Sequence, residues 1–210
     1  MHKTILTFII CLLSLHGVKS QTLEELFLTM PKELLPTLNQ SDRLDLIDMY
    51  KAGAASRTND LLNQVSSLTV FDKDILRLET GGNALELALL PMINDSYILL
   101  MIKTTCAPVC DSELRFYTLQ WKRLDSRFFF NPVGKEWFMV QEAVFANPIA
   151  ENTLLSLDIE FMKYSYNTEK KLLVQEYLTP EYLDQEQKEK VNKLLKRENK
   201  TYQWNGAHFE

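Results

Sequence analysis

From Leu68 to Trp121 the apolar residues recur at every second position, the period of half-buried strands and not of helices. Leu76 and Leu78 alternate with Arg77 and Glu79. Gly81-Gly82-Asn83 supplies a turn, and Leu85, Leu87 and Leu89 resume the alternation. Pro91 to Ser96 marks a second turn before the apolar strand Tyr97 to Lys103. Ala107-Pro108-Val109 then leads into Leu114 to Trp121, with Arg115, Tyr117, Leu119 and Trp121 on one side. Four strands joined by such short turns predict an antiparallel meander.

The flanks read differently. Thr22 and Glu25 have the spacing of a capping box, and Leu23, Leu26, Phe27 and Met30 recur at helical intervals until Pro31. A second helix is predicted from Ser41 or Asp42, with Leu44, Ile47 and Tyr50 on its apolar side before Gly53. Beyond the meander, 123–152 is rich in aromatic residues but broken by Pro132, Gly134 and Pro148, which predicts cover over a sheet face by irregular structure or short strands. Leu155, Leu157, Ile159 and Phe161 alternate with Asp158 and Glu160, and a turn at Asn167-Thr168 leads to Leu172 to Leu178, a second hairpin. Thr179-Pro180 reads as a cap and N1 proline for a helix over Glu181 to Arg197, with acids early and bases late. Thr201 to Trp204 reads as a last edge strand. The fold class is therefore α+β: an antiparallel sheet of six or more strands, two N-terminal helices, and one C-terminal helix packed on the sheet. Residues 21–210 form a single domain, with no internal repeat of residue identity.

The first twenty residues set the compartment. Met1-His2-Lys3, an apolar run from Ile5 to Leu15 and Val18-Lys19-Ser20 have the layout of a secretory signal peptide, cleaved near Ser20 to leave Gln21 first. The protein is thus expected in the periplasm or outside the cell. Cys11 lies inside the apolar run, not after small residues, which argues against a lipid anchor. Removing Lys3 and Lys19 leaves 21 basic against 28 acidic residues, a net charge of −7. That balance disfavours nucleic acid as a partner. No later apolar run reaches the roughly 20 residues of a membrane-spanning helix, so no transmembrane segment is expected. Cleavage also removes His2, His16 and Cys11, leaving His208, Cys106 and Cys110. One histidine near the chain end makes a Ser-His-Asp or Cys-His site improbable. Zinc ligands are scarcely available and no cofactor is expected.

Cys106 and Cys110 bracket a bend in an exported chain, where a disulfide is the first reading and would contribute about 2 kcal/mol. A redox pair and two free thiols are the alternatives, although redox chemistry favours two residues between the cysteines. Asp111 with Glu113 and Asp158 with Glu160 are carboxylate pairs of the type glycosidases use, but at i and i+2 on a strand they share a solvated face. Asn94-Asp95-Ser96 lacks the spacing of a calcium loop. Phe129, Trp137 and Phe145 either fill a core or line a groove for an apolar ligand. Lys188 to Lys200 carries six bases at helical spacing, the pattern of a solvated helix face.

Several segments together resemble the exported Bacteroidales proteins grouped as domain of unknown function 3256. They are Leu26-Phe27-Leu28-Thr29-Met30-Pro31 with Leu34-Leu35-Pro36, Arg43-Leu44-Asp45-Leu46-Ile47-Asp48, Lys103-Thr104-Thr105-Cys106-Ala107-Pro108 with Asp111-Ser112, Phe116-Tyr117 to Trp121-Lys122, and Trp204-Asn205-Gly206 with Phe209. The resemblance spans the expected mature chain. It implies export and a mixed helix and sheet domain, and brings no activity with it. It does not extend to Cys110, so a Cys106–Cys110 bond would be peculiar to this chain. The leading functional expectation is a non-catalytic binding or interaction module for an unidentified protein, apolar or glycan ligand. The alternatives are a carboxylate hydrolase or glycan-active enzyme built on Asp111, and a carrier for a lipid or other apolar ligand with a cavity at Phe129, Trp137 and Phe145.

Overall fold

Residues 21–140, 142–143, 152 and 159–210 are described by a computed structural model of the chain. Thr22 Oγ1 accepts from Glu25 N, and Glu25 Oε2 accepts from Thr22 N at 2.9 Å, so the capping box predicted at helix α1 (Leu23–Thr29) is formed. Helix α2 (Gln40–Lys51) has its own box, between Asn39 and Asp42. Its buried side is Arg43, Leu46 and Ile47, not the predicted Leu44, Ile47 and Tyr50, and Leu44 is 43% exposed. The rotation follows from Arg43, whose Nη1 donates to Phe27 O at 2.7 Å and Met30 O at 3.0 Å. The guanidinium thereby caps carbonyls at the end of α1.

The meander is present and larger than predicted. Strands β1 (Arg57–Asn59), β2 (Val65–Phe71), β3 (Ile75–Thr80), β4 (Asn83–Pro91), β5 (Tyr97–Cys106), β6 (Cys110–Tyr117) and β7 (Arg123–Leu124) form one seven-stranded antiparallel sheet in sequence order. Gly81 and Gly82, at φ +50° and +83°, make the two-residue β3–β4 turn that requires left-handed backbone at both positions. β6 stops at Tyr117, short of the predicted Trp121. Thr118 N donates to Lys122 O at 2.9 Å and Trp121 takes φ +62°, so Leu119 and Trp121 sit in a turn.

Alternation in β4 and β5 sends two sets of side chains to opposite faces. Leu85, Leu87, Leu89, Leu99 and Met101 join Leu26, Phe27, Leu46 and Ile47 of the helices in one core. Ala88, Leu90, Ile98, Leu100 and Ile102 face a second core, completed by Phe130, Tyr166, Leu173, Tyr202, Trp204 and Phe209. Burial on both faces explains why these strands are almost continuously apolar. The second core is roofed by an antiparallel sheet ordered β10-β9-β8, built from β8 (Met162–Asn167), β9 (Leu172–Tyr177) and β10 (Lys200–Gln203). The result is three layers: helices, large sheet, small sheet.

The second hairpin and the final strand are therefore present, with one shift. Ile159 and Glu160 are exposed and outside the sheet, and β8 begins at Met162; Leu155, Leu157 and Asp158 lie outside the described residues. The C-terminal helix differs more. Thr179–Tyr182 is a 3-10 turn, and helix α4 runs only from Gln185 to Asn192, capped by Asp184. Thr179 Oγ1 accepts from Phe161 N at 2.8 Å instead of capping the helix. Among the described residues, α4 packs through Val191 with Met139 and Leu194 in a small cluster that Tyr177, at the end of β9, adjoins. Of 123–152, the described part holds the short strand β7, a 3-10 turn at Ser126–Phe128 and one helical turn, α3 (Lys135–Phe138).

Candidate functional site

Asp111 follows the hairpin end that the Cys106–Cys110 disulfide closes. Its Oδ1 accepts from Met162 N at 3.0 Å. Ser112 Oγ accepts from Tyr164 N at 3.1 Å, and Glu86 Oε1 accepts from Tyr166 N at 2.9 Å. Three alternate N–H groups of the edge strand β8 are thus taken by side chains of the large sheet, which closes an edge otherwise open to pairing. Arg77 completes the seam, with Nε 2.6 Å from Glu86 Oε2 and Nη2 donating to Tyr166 O at 2.9 Å. Burial pushes the Glu86 carboxyl above its ordinary value, and Arg77 and the Tyr166 N–H only partly offset this. Asp111 is therefore a backbone acceptor between layers. Its neighbour Glu113 pairs with Arg115, while Glu160 lies 3.9 Å from Lys135.

The aromatic candidates separate. Phe129 packs on Phe116, ring centroids 5.0 Å apart, at the margin of the second core. Trp137 packs edge-on against Phe138, and Lys196 Nζ lies 4.1 Å from its ring centre. Phe145 is outside the described residues. His208 makes its contacts within the C-terminal turn, with Asn205 and Glu210. Among the described residues no group of three His, Cys, Asp or Glu side chains is placed to hold a metal, and no helix is long and apolar enough to cross a membrane.

The concave site is elsewhere, at one end of the helix-covered face. The start of α1, the end of α2, the β2–β3 turn and the adjoining strand ends enclose a cleft of about 770 Å³. Tyr50, Phe71 and Tyr97 provide its aromatic walls, Leu23 and Leu89 its apolar floor, and Glu24, Lys51, Asp72, Lys73 and Asp74 its charged rim. Tyr50 meets Phe71 edge to face at 6.0 Å. Lys51 Nζ sits 2.6 Å from Glu24 Oε2 and 6.0 Å from the Phe71 ring centre, tying α2 to α1 across the cleft. The turn is held by Asp72 N donating to Ile75 O, Lys73 N donating to Asp72 Oδ1, and Leu89 N donating to Asp74 O. Gln21 contributes a buried side-chain oxygen that has no hydrogen-bond partner among the described residues. A smaller pocket of about 90 Å³ shares Asp74, Leu89 and Tyr97 and reaches Tyr166. Burial, with Asp74 and Glu86 nearby, pushes the Tyr166 phenol up to about 12, so it is a neutral hydroxyl at physiological pH.

Sequence reasoning did not find this cleft. Tyr50 reads as part of a helix face, and Phe71 and Tyr97 read as strand residues. The usable signal is positional: Phe71 ends β2 and Tyr97 begins β5, so a meander in sequence order brings both to the same end of the sheet.

A search of curated proteins returns no match. Among solved structures, the chain is similar to a domain of an uncharacterized protein from Porphyromonas gingivalis W83, with a TM-score of 0.75 and 24% identity, over 90% of this chain and 98% of that one. At that identity the likeness is one of fold. The model of the family described as protein of unknown function DUF3256 matches residues 15–209, and the chain belongs to that family.

Proposed function

We propose that the protein is an exported, non-catalytic binding module whose cleft at Tyr50, Phe71 and Tyr97 holds a saccharide. The observation that carries this reading is the cleft's composition: three half-buried aromatic side chains beside a rim of carboxylates and lysines, around a cavity of small-molecule size. Aromatic faces suit the C–H patches of a sugar ring, while carboxylates accept from its hydroxyls. The Gln21 side-chain oxygen supplies one more acceptor, which lacks a donor among the described residues. Export is supported by the basic start, apolar run and small residues of Met1 to Ser20. Within the same reading the family is one of exported Bacteroidales proteins.

The test is a saccharide array probed with the protein lacking residues 1–20, alongside Phe71→Ala and Tyr97→Ala variants of unchanged melting temperature. The reading expects selective binding that falls about tenfold or more in either variant. Binding that ignores both substitutions would contradict it. Glycan cleavage lost in Asp74→Asn would replace the binding module with a carboxylate enzyme.

A further inference from the structure

The six bases of Lys188 to Lys200 do not share one helix face. Lys188 and Lys190 are on α4 and pair with Glu181 and Glu186. Helix α4 ends at Asn192, so Lys193, Lys196 and Arg197 lie on the segment that follows. That segment is pinned in place. Val140 N donates to Leu194 O and Lys196 N to Phe138 O, both at 2.7 Å, and Leu195 bridges to Met139. Leu194, 2% exposed, anchors it from below.

Lys193, Lys196 and Arg197 stand around a second cleft, of about 550 Å³, with Asn192, Leu195 and Tyr177. Among the described residues none of the three cations lies in an ion pair. The one carboxylate lining the cleft, Glu181, is already neutralised by Lys188. The Tyr177 hydroxyl is buried, with Thr179 as its hydrogen-bonding neighbour and the carboxylates of Glu160 and Glu136 also acting on it. Thr179, two residues on, also takes the Phe161 N–H on its Oγ1 and reaches the Ile159 carbonyl. Three clustered positive charges in a chain of net charge −5 call for an explanation. Complementing the negative end of α4 accounts for Lys193. It does not account for Arg197, beyond the helix.

We propose that this cleft binds the tetrahedral oxyanion of a small phosphate or sulfate ester. Arg197 offers the planar fork that matches two anionic oxygens, Lys193 and Lys196 act as point charges, and the Tyr177 hydroxyl and Asn192 amide supply directed donors. The cation of Lys196 also lies 4.1 Å from the Trp137 ring centre, a contact that orders its side chain. Leu195 and Pro180 provide an apolar margin for the esterified group. This inference is independent of the saccharide reading.

The experiment is calorimetric titration of the full exported chain with inorganic phosphate and with sulfate, at constant ionic strength set by chloride. Wild type is compared with Lys193→Gln/Arg197→Gln and with Tyr177→Phe, each checked by melting temperature. The proposal expects saturable binding of either oxyanion in the millimolar range or tighter, weakened about tenfold or more in the double variant. Tyr177→Phe should weaken binding by a smaller factor. Should the double variant prove unstable, Arg197→Lys takes its place, since it keeps the charge and removes the fork. Heats that match a chloride control, or binding unchanged in the variants, overturn the proposal. Attachment to vesicles of anionic phospholipid without binding of free phosphate or sulfate overturns the small-ester assignment in favour of a membrane surface.

Discussion

The two faces of the large sheet use the same strands and opposite chemistries. Towards the helices the contacts are mainly leucine on leucine, with one buried cation, Arg43, serving as a cap. Towards the small sheet they are mainly aromatic: Phe130 lies within 4.9–6.0 Å of Tyr202, Tyr164 and Phe209, and Trp204 within 4.9 Å of Phe209. That face also carries the polar seam of Asp111, Ser112, Glu86 and Arg77. The difference shows where a ligand has room. A seven-residue helix and a twelve-residue helix cannot cover a seven-stranded sheet to its end, and the cleft at Tyr50, Phe71 and Tyr97 opens at that end. The small sheet and the C-terminal turn fill their side with rings.

Truncating one large side chain on each face would break the comparison most severely. Phe116→Ala removes a fully buried ring from the aromatic core and should cost about 3–5 kcal/mol, and Leu87→Ala about 2–5 kcal/mol from the leucine core. Urea unfolding measures both. A loss below about 1 kcal/mol at either site would show that face to be loosely filled. Next comes the buried cation: Arg43→Met takes the guanidinium from the Phe27 and Met30 carbonyls and should cost about 1–3 kcal/mol. An unchanged melting curve would mean that water replaces the guanidinium.

The seam on the other face makes a pH-dependent prediction. Glu86 holds its proton to a higher pH when folded than when unfolded, because burial disfavours its charge. Its contribution to stability is therefore full below the ordinary carboxyl value, about 4.3, and is lost as pH rises through the folded value. Measured against Glu86→Gln, which does not titrate, the wild type should gain stability as pH falls from neutral and lose it as pH rises. A flat difference, or one of opposite slope, would remove Glu86 from the buried seam. The smallest effect is expected at Thr22→Ala, about 1 kcal/mol from the lost cap of α1. Because Thr22 also lines the cleft, the same variant sharpens the comparison if ligand binding weakens with it.

These two faces also divide what was legible in the sequence. The leucine face follows from period alone, as do the Gly81-Gly82 turn and the Thr22 box, because each depends on residues close in the chain. The disulfide follows from the spacing of two cysteines across a predicted bend. The aromatic face does not, since it joins Phe116 to Phe209, more than ninety positions away, in a contact no local pattern encodes. Arg43 pointing inward was hidden for a similar reason: its partners are carbonyls of another helix. The length of α4 was misjudged because Thr179 finds a tertiary partner, Phe161, that outcompetes its capping role. The cleft required knowing which strand ends meet.

The most direct test of the account is a backbone-amide NMR titration with a saccharide selected on the array. The account predicts shifts concentrated at Thr22, Lys51, Lys73 and Tyr97, with Phe129, Tyr202 and Trp204 unmoved. Shifts centred instead on the aromatic face or on Asp111 and Met162 would contradict it and move the binding site to the opposite side of the sheet.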